Sequence, residues 1–421
     1  MFIQSYLVFC SIFPKVEQIM ESHAQSVEDN LIDSLSFKLR PGASYVTDRR
    51  SVTYFPQGGN SYSPAGVKVI KLMLTGDSWM DPSTVKLFMN VKNDSAANIT
   101  PRVAGPWGMF RRLRILCGGQ ICEDIDLYGR LHEQFHMMKP TEKRENDAIE
   151  GFGANASLSV GAERVVAFTP LSGLLTNNEK YLPIRYCPLQ VELEVVSSAD
   201  EAFLGTSPAF TLSDVQLKVD LVTLDNSLDN EYSQHLLSGK SLPINFSTFP
   251  TASQVITNLN TTVNVSRALT RLKGVYVSLS TDDGGAKEVN NFYHPMGGNH
   301  DKSKELSFEM QIGAKKYPEY PIQSAAEAFY QLRKSLGLHA RNALMDIRAI
   351  EYRDNKFVIG IDTEKVLGAS FSGHNSKAGD LTVLRLKPLG DATLTGNCKM
   401  HYVLHYDSVM QIQDSGVSIL E

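Results

Sequence analysis

The chain has 421 residues, with 41 Lys+Arg against 46 Asp+Glu and a formal net charge of −5 at pH 7. At roughly 150 residues per domain that is two or three domains, or two large β domains. Apolar residues at 42% and charged residues at 21% exclude a disordered or coiled-coil chain, and the slightly acidic balance excludes a general nucleic-acid binder, leaving genome contact to a local patch.

The chain opens with Met1 to Pro14, MFIQSYLVFCSIFP. This apolar run is too short to span a bilayer comfortably, and it lacks the positive n-region and the clean cleavage site of a signal peptide. Three readings stay open: an upstream extension with the working chain starting at Met20, an ordered or membrane-touching arm, and a signal peptide. Glu21 to Asn30 is polar and suits a flexible arm, so residues 1–32 are set apart as an N-terminal arm.

Beyond it, period-two alternation dominates. Leu189–Val195, Val215–Leu221 and Leu306–Ile312 each place apolar residues at every second position, the pattern of a strand with one buried face. Further strands are expected at Val67–Leu74, Val85–Val91, Phe110–Leu116, Arg164–Phe168, Leu269–Leu279, Lys356–Ile361, Leu381–Lys387 and Met400–Ile412. Many strands without alternating helices point to antiparallel sandwiches.

Only three stretches read as helix. In Asp126–Lys139, the residues Tyr128, Leu131, Phe135 and Met138 share a stripe and Pro140 follows. In Ser324–Leu336, Ser324 and Glu327 make a capping box and Gly337 can end the helix. A short helix at Leu228–Leu237 separates two strand-rich halves. The first two helices start about 197 residues apart, each followed by a long loop and then by alternating strands, although no residue-by-residue repeat is visible. The economical reading is all-β: a first jelly-roll sandwich over 33–227, a linker helix over 228–240 and a second jelly roll over 241–421.

Several clusters carry candidate chemistry. His132-Glu133-Gln134-Phe135-His136 matches H-E-x-x-H on a predicted helix, where two His at i and i+4 could hold zinc beside a general base. The third ligand is not evident, the extended form is absent because Met137-Met138-Lys139-Pro140 follows, and structural His residues are the simpler reading. His401 and His405 share one face of the last strand but lack the Gly-rich motifs of cupin metal sites. His294 and His300 read as solvent-facing loop residues. Arg111, Arg112 and Arg114 beside Trp107 and Phe110 are a candidate nucleic-acid contact, or more simply intersubunit ion pairs or a solvated face; Lys315-Lys316 is similar. Gly284-Gly285 and Gly297-Gly298 read as turns. Five Cys are no disulfide framework; Cys10, Cys187 and Cys398 are scattered, while Cys117 and Cys122 flank a hairpin turn and read as half-buried thiols in a reducing compartment. Sequons at Asn93, Asn98, Asn155, Asn245, Asn260 and Asn264 matter only in a secretory pathway. No phosphate-binding loop, dinucleotide fingerprint or nucleophile elbow appears.

Four segments together resemble the double jelly-roll major capsid proteins of icosahedral DNA viruses, nearest to those of polinton-like viruses and virophages. They are SVTYFPQGGNSYSPAGVKVIKLMLTGDSWMDPSTVKLFMNVKN, FRRLRILCGGQICEDIDLYGRLHE, FEMQIGAKKYPEYPIQSAAEAFYQLRKSLG and KMHYVLHYDSVMQIQDSGVSIL. No single motif is diagnostic; their order from about Ser51 to Val417 carries the likeness. The resemblance implies a non-enzymatic shell protein without cofactor, catalytic or metal residues, forming pseudo-hexameric homotrimers that tile a virion capsid. It also implies neighbouring capsomers, penton and minor capsid proteins as partners, with internal membrane or genome contact through the N-terminal arm. The alternatives are a jelly-roll carbohydrate- or ligand-binding module, and a zinc hydrolase working through His132-Glu133-x-x-His136.

Overall fold

In Leu189–Val195 the four apolar positions are each at most 1% exposed. Every such side chain contributes about 1.5–3 kcal/mol when taken fully out of water, so alternation fixes which face of a strand turns inward. The computed structural model describes residues 45–152, 157–176, 178–281, 292–294, 305–338, 345–366, 371–377, 380–390 and 398–421. The arm at 1–32, Met20, Asn155, both Gly pairs and His300 lie outside them.

The first half builds two antiparallel sheets. One has the order β1 (Val46–Tyr54), β11 (Phe210–Leu224), β4 (Trp79–Asn93), β8 (Glu163–Phe168), with β2 (Ser61–Tyr62) added to β11. The other has the order β3 (Val69–Leu74), β9 (Leu189–Val195), β6 (Phe110–Cys117), β7 (Gln120–Ile125). A short pair, β5 (Thr100–Pro101) with β10 (Phe203–Leu204), lies beside them. Counting the eight main strands in chain order, the sheets read 1-8-3-6 and 2-7-4-5, the order of a jelly roll.

The second half repeats that order. Its first sheet runs β12 (Leu242–Thr248), β20 (Cys398–Gln413), β15 (Leu272–Thr281), β18 (Val358–Asp362). Along β20 also pair β13 (Thr251–Ile256) and β21 (Gly416–Leu420). Its second sheet runs β14 (Thr261–Val265), β19 (Thr382–Pro388), β16 (Leu306–Ile312), β17 (Lys315–Ile322). Counted the same way, these are again 1-8-3-6 and 2-7-4-5. The repeat is one of topology, which explains why no residue repeat is visible. The all-β, double jelly-roll class is the one observed.

In each half a helix follows the fifth strand: α1 (Tyr128–Met137) with the short α2 (Thr141–Asp147), and later α4 (Ala325–Ser335) with α5 (Ala349–Asp354). Between the halves lies α3 (Asn226–Leu237). The expected cap of α4 is present: Ser324 Oγ accepts from the Glu327 N–H at 3.2 Å, and Gly337, at φ +70°, closes the other end. Among the described residues no helix is long and apolar enough to cross a membrane.

Residues Val46–Glu421 make up one compact unit, and the two sandwiches meet in a buried junction. The Phe135 ring of α1 lies 5.1 Å from Phe249 and 5.4 Å from Tyr276. Arg130 Nη2 donates to Ser278 Oγ at 3.1 Å and to the Leu279 carbonyl at 3.3 Å, and its guanidinium covers the Phe292 ring at 4.1 Å. Cys122 Sγ lies 3.7 Å from Met410 Sδ. Gly173 has no room for a side chain, because a Cβ there would collide with the Ser247 carbonyl. The buried hydrophobic cluster therefore runs through both sandwiches. Met400 to Leu404 is buried on both faces, one inside its own sandwich and the other covered from the junction side.

Candidate functional site

α1 is the element on which the sequence concentrates its candidate chemistry. Its stripe behaves as expected: Tyr128, Leu131 and Met138 are buried and Phe135 packs against the core. The helix approaches the turn at Pro106–Met109 closely, since a Cβ on Gly129 would stand 2.8 Å from the Trp107 carbonyl oxygen. That approach brings Trp107 onto the H-E-x-x-H residues. Its ring stacks on His132 at 4.1 Å and lies 4.6 Å from His136. Its Nε1 donates to Glu133 Oε2 at 2.8 Å.

Each member of the motif is thus spent on packing. His132 Nε2 lies 3.1 Å from the Thr169 carbonyl; a carbonyl only accepts, so Nε2 carries the proton. Burial pushes the His132 pKa down to about 3. Burial, with Lys139 adding to it and Asp147 opposing, brings His136 down to about 4, so both imidazoles are neutral. Burial raises the Glu133 carboxyl above its ordinary value, and the Trp107 hydrogen bond partly offsets it. Among the described residues no three His, Cys, Asp or Glu side chains converge as a metal-binding group.

The other candidates are likewise structural. His401 Nε2 is 2.8 Å from Ser280 Oγ, and His405 stacks on Phe249 at 4.7 Å; burial keeps both pKa values low. His294 corrects the expectation of a solvent-facing loop residue. It is buried, lies edge-on to Phe357 at 4.6 Å and stands 3.8 Å from Glu305. The arginine cluster is paired within the chain and partly exposed. Arg112 makes a bidentate pair with Asp124 at 2.7 and 2.6 Å, Arg114 pairs with Glu192 at 2.7 Å, and Arg111 stands 3.6 Å from Asp126. The Arg112 and Arg114 pairs run between neighbouring strands of one sheet, and Asp126 lies just past the end of β7. Lys316 pairs with Glu309 at 3.1 Å.

The cysteine reading is also corrected. Cys117 forms a disulfide with Cys187, at a Cα separation of 6.0 Å, while Cys122 is a buried free thiol. β6 and β9 pair Cys117 with Leu189, which sets Cys187 beside Cys117 at the strand's start. Asn93 is a closed sequon: it is fully buried and its Nδ2 donates to the carbonyls of Ala97, Leu158 and Ser159. Asn98, Asn245, Asn260 and Asn264 are exposed.

A residue group that sequence reasoning missed sits at the junction. Glu123 is buried, and its carboxylate accepts from Ser172 Oγ, the Gly173 N–H at 3.0 Å and the Leu174 N–H at 3.3 Å. It clamps the 172–174 turn that abuts Ser247. Position 123 follows the strand alternation only weakly, and its partners lie about 50 residues away, so no local signal marks it.

No family model matches the chain, and no curated protein matches it in sequence. Solved structures do match in fold. VP54 of PBCV-1, a crystal structure fitted into a cryo-EM reconstruction of the virophage Sputnik, aligns with a TM-score of 0.65 at 11% identity over 91% of this chain and 99% of its own. The Faustovirus major capsid protein gives 0.63 at 8% identity, over 92% and 94%. The mavirus major capsid protein gives 0.55 at 10% identity, over 94% and 93%. At such identities the likeness is one of fold, and it covers both sandwiches in sequence.

Proposed function

We propose that this double jelly-roll chain is a major capsid protein, a non-enzymatic building block of an icosahedral virion. The observation that carries the reading is the double 1-8-3-6 and 2-7-4-5 strand order within one compact unit, joined end to end with the same coverage as the capsid proteins it aligns with. Three chains carrying two jelly rolls each make a pseudo-hexamer, which tiles a shell as a hexagonal unit. In this reading residues 33–227 and 241–421 are the two rolls, 228–240 is the linker helix, and 1–32 is the arm that meets neighbours, an internal membrane or the genome. Neighbouring capsomers are the principal partners, with penton and minor capsid proteins at special positions.

Packing of the H-E-x-x-H residues supports a structural rather than hydrolytic role for α1, because the carboxylate needed as a base already holds the Trp107 N–H. Analytical ultracentrifugation tests the reading. The expected species is a trimer of three times 46.6 kDa, with each interface burying well over about 1,000 Å². A chain that stays monomeric across micromolar dilution contradicts it.

A further inference from the structure

The two sandwiches of one chain meet through different sides. The first presents its helix side: α1 sets Phe135 5.4 Å from Tyr276, and Arg130 donates to Ser278 at 3.1 Å. The second presents the outer face of its first sheet. Along β15, Val275, Val277 and Leu279 belong to the core, so Tyr276, Ser278 and Ser280 point outward, yet each is at most 2% exposed. Such a contact is head-to-tail, because the surfaces that meet are different surfaces of the repeated unit. One helix side, that of the second sandwich, and one sheet face, that of the first, are left without this contact.

On the first sandwich, β4 and β11 hold the third and eighth places that β15 and β20 hold on the second. Val85, Leu87 and Met89 are buried in its core, so Lys86, Phe88 and Asn90 form the outer row. This row is partly exposed, whereas its counterpart on β15 is sealed. Beside it on β8, Val165 stands in register with Asn90 and is 71% exposed. On the second sandwich, α4 follows the fifth strand as α1 does on the first. It buries Ala328 and Leu332 but leaves Tyr330 62% exposed, and Ile350 of α5 is 71% exposed. Between α4 and α5 runs an apolar groove lined by Ala326, Phe329 and Ala349.

These are the two surfaces that a repeat of the internal junction requires. We propose that the α4–α5 side of one copy seats on the outer face of β8, β4 and β11 of the next copy, so that the contact joining two sandwiches within a chain recurs between chains. Three such contacts alternate with three internal junctions, and the ring closes on the third copy. The inference rests on the trimeric capsid reading and specifies its interface. Tyr330 and Ile350 from one side, with Phe88 and Val165 from the other, make the apolar centre. Lys218, whose Nζ lies 4.5 Å from the Phe88 ring, belongs to the polar rim.

The test is photo-cross-linking of the full-length protein carrying Tyr330→p-benzoylphenylalanine, irradiated as a trimer isolated by sedimentation. The expected product joins two chains, and its cross-linked peptide comes from residues 84–92, 163–168 or 211–220. A cross-link to any other surface of the neighbour, or none between chains, would overturn the proposal. A second variant, Val165→Asp, changes a side chain that is exposed in the single chain, so folding should survive. It should raise the concentration at which trimers dissociate by at least about tenfold, because a carboxylate is then buried without a partner. Thr262→Asp, at an exposed position of β14, should leave that concentration unchanged. Val165→Asp trimers as tight as the parent's would overturn the proposal while leaving the trimer itself intact. A parent chain that forms no trimer would overturn the capsid reading and this interface together.

Discussion

Glu133 Oε2 holds the indole N–H of Trp107 at 2.8 Å, so the glutamate of an H-E-x-x-H motif serves as an anchor for a buried ring. Glu133→Gln keeps a carbonyl acceptor and should alter stability by less than about 1 kcal/mol. Glu133→Leu strands the N–H of a ring that is 6% exposed and should cost about 1–3 kcal/mol. Urea denaturation of the two variants separates a hydrogen-bond acceptor from a required charge, because equal losses in both would mean that the charge itself is needed.

Leu131, 1% exposed on the same helix, is the simplest probe of α1 packing. Leu131→Ala should destabilise by about 2–5 kcal/mol, the transfer term plus the cavity left behind. A loss below about 1 kcal/mol, read from the denaturation midpoint, would mean that the helix does not face the core.

Five buried imidazoles make stability depend on pH. The folded-state pKa is about 3 for His132 and about 4 for His136, His294 and His405, and that of His401 lies well below the ordinary value, in each case through burial. In the unfolded chain these groups titrate near 6.5. Between about pH 6.5 and 4 the unfolded state therefore binds more protons, and stability falls as the solution is acidified, by up to about 1.4 kcal/mol per pH unit for each histidine. Glu123 and Glu133, both raised by burial, take up protons first in the folded state and act in the opposite sense, but they are outnumbered. Denaturation midpoints should be level above about pH 7 and should drop towards pH 5. A level midpoint through that window would show that the imidazoles are solvated.

Gly173 tests the junction. Its Cβ position is taken by the Ser247 carbonyl of the other sandwich, and its own N–H is held by Glu123 at 3.0 Å. Gly173→Ala should push the two sandwiches apart locally and cost about 1–3 kcal/mol as an overpacked contact. Limited proteolysis should then release fragments ending near the α3 linker, whereas the parent chain resists. Unchanged proteolysis would mean that the junction adds little to the fold.

The legible part of this fold is the part in which one face meets water. Leu189–Val195 and Leu306–Ile312 form strands with the bounds that alternation predicts. β1 was missed because its middle, Thr47 to Ser51, is exposed on both faces, so its register with β11 comes from backbone pairing rather than from burial. β4 begins six residues earlier than expected because Asp81-Pro82 reads as a turn, yet Arg49 Nη2 holds Asp81 at 2.7 Å and keeps it in the sheet. Of the candidate site, the helix and its buried stripe were readable from spacing alone. Trp107 over His132, Cys187 beside Cys117 and Glu123 under the 172–174 turn were not, since each joins segments at least 25 residues apart through tertiary packing.

Negative-stain electron microscopy of the purified full-length protein addresses the central claim most directly. The account requires particles with a pseudo-hexagonal outline, in which three copies supply six sandwiches, alone or tiled into sheets and shells. Particles of single two-lobed chains, with no threefold assembly at micromolar concentration, would contradict it.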